Sequence, residues 1–305
     1  MSSPRSTPAD RPGRLHVGVI GAGRVGSVLG AALGRAGHHV VAAAAVSQAS
    51  LTRAARLLPE AEVLPSDQVA AQADLLLIAV GDDSLEPLVR GLAETDSIRP
   101  GQLLAHTSGA HGVAVLEPAV RLGALPMALH PVMTFTGRDE DLDRLAGISY
   151  GVTAPDELRP VAEALVLEMG GEPEWIAEAD RPLYHAALAH GANHLTTLVN
   201  EALQLLRQAG IEHPERMIAP LLSAALDNTL RLGDGALTGP VARGDAGTVA
   251  GHVSVLASRA PDAVAAYLAL ARRSADRALS SGRLRAVDAE ALLGVLASPQ
   301  QGAAT

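Results

Sequence analysis

Four segments of this chain carry side chains able to move protons or bind anions. His130-Pro131 stands at the end of an apolar run, where an imidazole serves as a proton donor or as a hydrogen bond to a substrate carboxylate. Tyr184-His185 opens a long helical pattern in which His190, Asn193 and Thr197 follow one turn apart. An imidazole and an amide on one helix face can protonate and hold a carbonyl oxygen. By helix rise His185 and Asn193 are about 12 Å apart along the axis, so at most one of them grips the reacting atom. A Gly/Pro loop then carries Arg243, whose guanidinium forks onto a carboxylate, and Asp245, which can orient it. Thr107 and Ser108 offer hydroxyls to substrate or cofactor. Each has a plainer alternative: a packed histidine, a solvated polar stripe, a turn-rich loop, a Ser-Gly turn.

Two absences narrow the chemistry. The chain has no cysteine, which removes disulfides, thiolate nucleophiles and cysteine-ligated metals and fits the cytoplasm. All 24 basic residues are arginine. Without lysine there is no Schiff base, no phosphate-loop lysine and no lysine general acid. No His, Asp and Glu spacing suggests a metal site.

The strongest local motif lies near the start, where the apolar stretch from Leu15 to Ile20 runs into Gly21-Ala22-Gly23-Arg24-Val25-Gly26. Gly21 suits a tight strand-to-helix turn, Gly23 the close approach of a pyrophosphate, and Gly26 the packing of helix on strand. Backbone amides at the helix start then face the phosphates, with the positive end of the helix dipole behind them. The motif therefore reads as a dinucleotide site formed by Gly21, Ala22, Gly23, Arg24, Val25 and Gly26. An acid after the second strand would take the ribose hydroxyl of NAD, but the segment reads Ala43-Ala44-Ala45-Val46-Ser47-Gln48. Ser47 and Gln48 can hydrogen-bond a 2′-phosphate, and Arg53 or Arg24 can pair with it. NADP is thus favoured, with NAD as the alternative; Arg53 and Arg56 also fit the solvated face of a surface helix. Val80 and Asp82, after the fourth strand, and Ser108, after the fifth, fall where the nicotinamide half lies.

These residues need a scaffold, and the pattern supplies one. Strands are expected at 17–20, 39–46, 62–64, 74–80, 102–106, 124–130, 148–152 and 174–176. Helices fill the gaps at 25–36, 51–57, 66–71, 85–92, 113–122 and 157–169. This alternation predicts an α/β fold, a mostly parallel, doubly wound sheet of Rossmann type. Long helices follow at 182–208, 215–232, 247–259, 262–280 and 287–296, forming an all-helical C-terminal domain. The expected organisation is a tail at 1–13, a dinucleotide domain at 14–180, a helical substrate and dimerisation domain at 181–297, and a tail at 298–305. The first twelve residues have no apolar run and read as a disordered tail, not a signal peptide. A net charge of −9 with scattered arginines argues against nucleic acid or an anionic membrane as partner.

The ordered series of Gly21-x-Gly23-x-x-Gly26, His106-Thr-Ser-Gly109, Leu129-His-Pro-Val-Met-Thr-Phe135, Arg181-Pro-Leu-Tyr-His-Ala-Ala187 with Asn193, and Thr238-Gly-Pro-Val-Ala-Arg-Gly-Asp245 is specific. It resembles the Rossmann-like oxidoreductases with a C-terminal domain of unknown function 2520, over about residues 14–297. That family is similar to the 6-phosphogluconate dehydrogenase-like group, with pyrroline-5-carboxylate reductase, ketopantoate reductase and prephenate dehydrogenase. The resemblance implies NAD(P)-linked hydride transfer and a helical second domain, often intertwined in a homodimer. Ketopantoate reductases and β-hydroxyacid dehydrogenases use a helix lysine that this chain lacks, so histidine, tyrosine or water must donate the proton. The expectation is an NADPH-dependent reductase of a small carbonyl or imine carboxylate, a ketopantoate-type 2-oxo acid first. His130 or His185 would donate the proton, Asn193 hold the substrate oxygen and Arg243 its carboxylate. The alternatives are a prephenate-dehydrogenase-like or imine-reducing enzyme, or a non-catalytic dinucleotide-sensing regulator.

Overall fold

The computed structural model describes residues 13–297. The expected tails lie outside them, apart from Gly13. Eight strands form one sheet: β1 (His16–Ile20), β2 (His39–Ala44), β3 (Glu62–Val63), β4 (Leu75–Ile78), β5 (Leu103–His106), β6 (Leu125–Pro131), β7 (Ser149–Thr153) and β8 (Glu172–Trp175). Their spatial order is β3-β2-β1-β4-β5-β6-β7-β8. Between β1 and β4 the winding reverses, which opens a crevice outside the carboxyl ends of the strands. All neighbours pair parallel except β6 with β7. That single reversal sets His130 opposite Gly151.

Helices α1 (Arg24–Ala36), α2 (Gln48–Leu57), α3 (Ser66–Gln72), α4 (Asp82–Glu94), α5 (Glu117–Val120), α6 (Glu140–Arg144) and α7 (Arg159–Glu168) connect the strands. Both sheet faces are covered, and the central strands show it. In β4 every residue is buried; Leu75 and Leu77 join one core while Leu76 and Ile78 join the other. A strand sends alternate side chains to opposite faces, so a strand buried on both must be apolar throughout. Helix α1 stops at Gly37, whose φ of 104° permits the left-handed cap, with the His38 amide donating to Leu33.

The described residues form two compact units that divide between His190 and Gly191. The first takes in α8 (Arg181–Leu188), beyond the 180/181 boundary expected from the sequence, because Arg181 is anchored among the strands. The second contains α9 (His194–Gln208), α10 (Pro214–Leu232), α11 (Ala246–Arg259), α12 (Pro261–Ser280) and α13 (Ala286–Ala297). Its core comes mainly from α11, α12 and α13, through Val249, Val264, Leu268, Ala275 and Leu292.

Two expected helices are corrected. The segment 113–122 is a 3₁₀ turn, Val113–Leu116, followed by the short α5. The 182–208 helix is interrupted by a π-helical segment, Ala189–Asn193. A π turn holds an extra residue, so straight-helix spacing does not carry across it and the expected His190, Asn193 and Thr197 stripe loses its register. No described helix is long and apolar enough to cross a membrane.

Candidate active site

The glycine turn is built as its spacing demands. Gly21 adopts φ of 91°, and a Cβ there would lie 2.5 Å from the carbonyl oxygen of Ala79. A Cβ on Gly26 would collide with the carbonyl of Gly21 and approach Ala79 to 2.9 Å. At Gly23 the nearest atom would be 3.9 Å away, so that position faces open space. The amides of Gly21 and Ala22 both donate to Ala44, tying the turn to β2. The next amides, of Arg24, Val25 and Gly26, begin α1 and have no carbonyl one turn upstream. Packing and ligand roles therefore separate within one motif, and the space above Gly23 fits a pyrophosphate.

Farther along the same edge, Arg24 and Arg53 meet at Gly137, in the loop after β6. A Cβ on Gly137 would sit 2.8 Å from Arg53 Nε and 2.9 Å from Arg24 Cγ. Arg56 donates to the Gly137 carbonyl at 2.5 Å. The loop is held by the buried Asp141, which accepts from the amides of Thr136 and Gly137 at 2.8 and 2.7 Å. Three arginines thus converge where Arg53 and Arg56 also fitted a merely solvated helix face. Ser47 is exposed and caps α2, accepting from the Ser50 amide at 3.1 Å. Val80 packs against Gly21, and Asp82 is the first residue of α4.

The chemistry-bearing cluster forms at the carboxyl ends of β5 and β6. Arg181, Tyr184 and His185 share one face of α8, since residues three and four apart are neighbours on a helix. Tyr184 Oη and His130 Nδ1 are 2.7 Å apart. The rings of His130 and His185 meet edge to face, with centroids 6.1 Å apart. Between them lies Gly109, where a Cβ would come within 2.7 Å of His185 Cδ2 and 2.9 Å of His130 Nε2. Only a glycine admits both imidazoles.

Burial lowers His130 to a pKa of about 4, assisted by the nearby Arg181 and His185 and opposed by Asp82. It is therefore an uncharged imidazole at neutral pH. Burial raises the Tyr184 phenol, so its hydroxyl keeps a proton that it can donate to Nδ1. With the phenol as donor, the ring proton of His130 falls on Nε2, which lies toward Gly109. Ser108 is buried, and its hydroxyl accepts from the amides of Ala110 and His111, both at 3.2 Å. His106, buried behind it, contacts the Gly112 carbonyl at 2.8 Å through Nε2 and is lowered to about 4, chiefly by desolvation.

Asn193 and Arg243 belong to the second unit, and both are exposed. Asn193 ends the π segment. Asp245 caps α11 by accepting from the Thr248 amide at 3.1 Å and its hydroxyl at 2.7 Å, so its carboxylate is engaged there. Among the described residues no group of three metal-binding side chains occurs. No role for Arg181, Gly109, Gly137 or Asp141 is expected from the sequence. The i, i+3, i+4 spacing that Arg181 shares with Tyr184 and His185 was the available signal for Arg181.

Comparisons with known proteins agree with this architecture. Residues 1–131 match the Rossmann-like domain, and residues 148–274 match domain of unknown function 2520. No curated protein matches the chain. Among solved structures, a candidate NADP oxidoreductase from Bacteroides fragilis is 24% identical, with a TM-score of 0.72, covering 86% of this chain and 98% of its own. A Thermotoga maritima protein is 18% identical, with a TM-score of 0.63, covering 87% and 99%. An imine reductase from Pseudomonas sp. is 18% identical, with a TM-score of 0.60, covering 89% and 96%. At these identities the likeness speaks for the fold.

Proposed function

Starting from a chain that carries a Rossmann-like domain followed by domain of unknown function 2520, we propose that it is an NADPH-dependent oxidoreductase. Its substrate is a small carbonyl or imine carboxylate, with a ketopantoate-type 2-oxo acid the first candidate. The observation that carries this reading is the meeting of His130, Tyr184 and His185 around Gly109, on the same strand edge as the open glycine turn. The names of the Bacteroides and Pseudomonas structures support the class.

The amides of Arg24 and Val25 hold the pyrophosphate, and Arg24 and Arg53 meet the 2′-phosphate with the Ser47 hydroxyl beside them. Val80, Asp82 and Ser108 bound the nicotinamide side. NADPH supplies the hydride when bound. His130, kept uncharged, donates a neutral hydrogen bond from Nε2 to the substrate oxygen or nitrogen, and Tyr184 fixes its tautomer. His185, half exposed, delivers the proton. Asn193 and Arg243 are retained for the substrate's oxygen and carboxylate. Asn193→Ala should lower turnover by about 10²–10³ while NADPH affinity stays within a few-fold. The protein acts as a cytoplasmic homodimer.

The direct test is a panel of 2-oxo acids and cyclic imino acids, each offered with NADPH and with NADH while reduced-nicotinamide absorbance is followed. Oxidation of NADPH by one of them, lost in His185→Ala, is the expected result. Cofactor binding with no turnover on any member would favour the dinucleotide-sensing alternative.

A further inference from the structure

Beneath the two imidazoles lies a charge with no ion-pair partner among the described residues. Arg181 is completely buried, and its guanidinium donates to four neutral acceptors. Nε reaches Thr153 Oγ1 at 2.8 Å, Nη1 the Ser108 carbonyl at 3.3 Å, and Nη2 the carbonyls of Ala128 and Gly151 at 3.1 and 2.9 Å. Thr153 in turn donates its hydroxyl to the Ile176 carbonyl at 2.7 Å. The carboxylate that acts on it, Glu178, is engaged by the amides of Val113 and Ala114. A buried guanidinium is costly unless it is paired, and hydrogen bonds to carbonyls satisfy its geometry without cancelling its charge. Its acceptors come from three places: the turn after β5, strand β6 and strand β7. Its carbon lies 5.7 Å from the Tyr184 ring centre.

We propose that Arg181 is the positioning residue of this site, stapling Ser108, Ala128 and Gly151 into one frame under Tyr184 and His130 and giving the site an unneutralised positive charge suited to a carboxylate. The assignment rests on reading the Tyr184, His130 and His185 cluster as the catalytic site. The charged and titratable groups facing His130 are Arg181, Tyr184 and His185 from α8 and Asp82 from α4, with Gly109 and Gly151 closing the remaining sides. Arg181 therefore acts on His130 by two routes, geometry through Tyr184 and repulsion of a second positive charge.

The test is an NMR titration of ring-labelled histidines in the full chain, with His130→Ala and His185→Ala assigning the signals. His130 should titrate near 4 in the unaltered protein. Arg181→Met should move it upward by about one pH unit, and Arg181→Lys, which restores the charge, should return it. A wild-type His130 titrating at the ordinary histidine value, or one indifferent to Arg181→Met, overturns the proposal. Should Arg181→Met not fold, the unaltered protein still decides. Acetate should shift the His130 and His185 signals saturably, and acetamide, of similar shape without charge, should not; equal responses overturn the proposal. These signals need no turnover, so a protein that passes them and reduces nothing defeats only the catalytic reading.

Discussion

Burial keeps His130 uncharged at neutral pH, and in the proposed reaction this has consequences for both rate and stability. Tyr184→Phe removes the donor that fixes its tautomer, so turnover should fall by about 10²-fold while the melting temperature and NADPH affinity hold. Unchanged turnover would leave Tyr184 as packing. Gly109→Ala places a methyl group against both rings and should also cost about 10²-fold, because reacting groups displaced by an ångström lose their alignment. The histidines also shape the acid response. His106 and His130 are lowered from 6.5 to about 4 in the folded chain, so between those values the unfolded chain binds more protons. Stability should therefore be complete above about pH 6.5, fall as the pH drops toward 4, and fall no further from these two groups below it. For the fully buried His106 the loss is on the order of 3 kcal/mol. Denaturant melts across that window should lose part of their slope in His106→Gln; an unaltered slope would place the acid sensitivity elsewhere.

At the scale of elements, the turn between β1 and α1 divides its glycines between folding and binding. Gly23→Val meets open space, so it should leave the melting temperature unchanged and abolish binding of NADPH and NADH alike. Gly26→Val drives a side chain into the Gly21 carbonyl and should cost about 1–3 kcal/mol of stability. If both variants behave identically, the separation is wrong. The loop after β6 gives a second contrast. Replacing Arg24 and Arg53 together by Ala should weaken NADPH roughly 10- to 100-fold and leave NADH nearly unaffected, since charge-assisted bonds to a phosphate are lost. Calorimetric titration with both cofactors measures this directly, and an equal loss for the two would remove the basis for NADP preference.

Across the whole molecule, the second unit leaves apolar surface uncovered. Helix α9 buries no residue and α10 buries only Pro214, while Leu198, Met217, Leu221, Leu226 and Leu230 stand exposed. Apolar surface on this scale ordinarily meets a partner. A homodimer at micromolar concentration is the expected state by light scattering, and Leu221→Glu with Leu230→Glu should shift it toward monomer. A monomeric mass for the unaltered chain would refute the dimer.

Short-range features of this protein are legible in its sequence. The glycine spacing defines the strand-to-helix turn because backbone conformation and close approach are local properties. Alternation of apolar strands and amphipathic helices indicates a covered, mostly parallel sheet because each element must bury its apolar side. The complete absence of lysine excludes a lysine acid whatever the fold. Tertiary structure alone brings His130 beside His185 and Tyr184, turns β7 against β6, and gathers Arg24, Arg53 and Arg56 at Gly137. It also carries Arg181 into the interior, where spacing indicates its helix face but not its depth. The division has one physical cause: conformation and periodicity act over a few residues, whereas desolvation and charge proximity depend on which distant segments pack together.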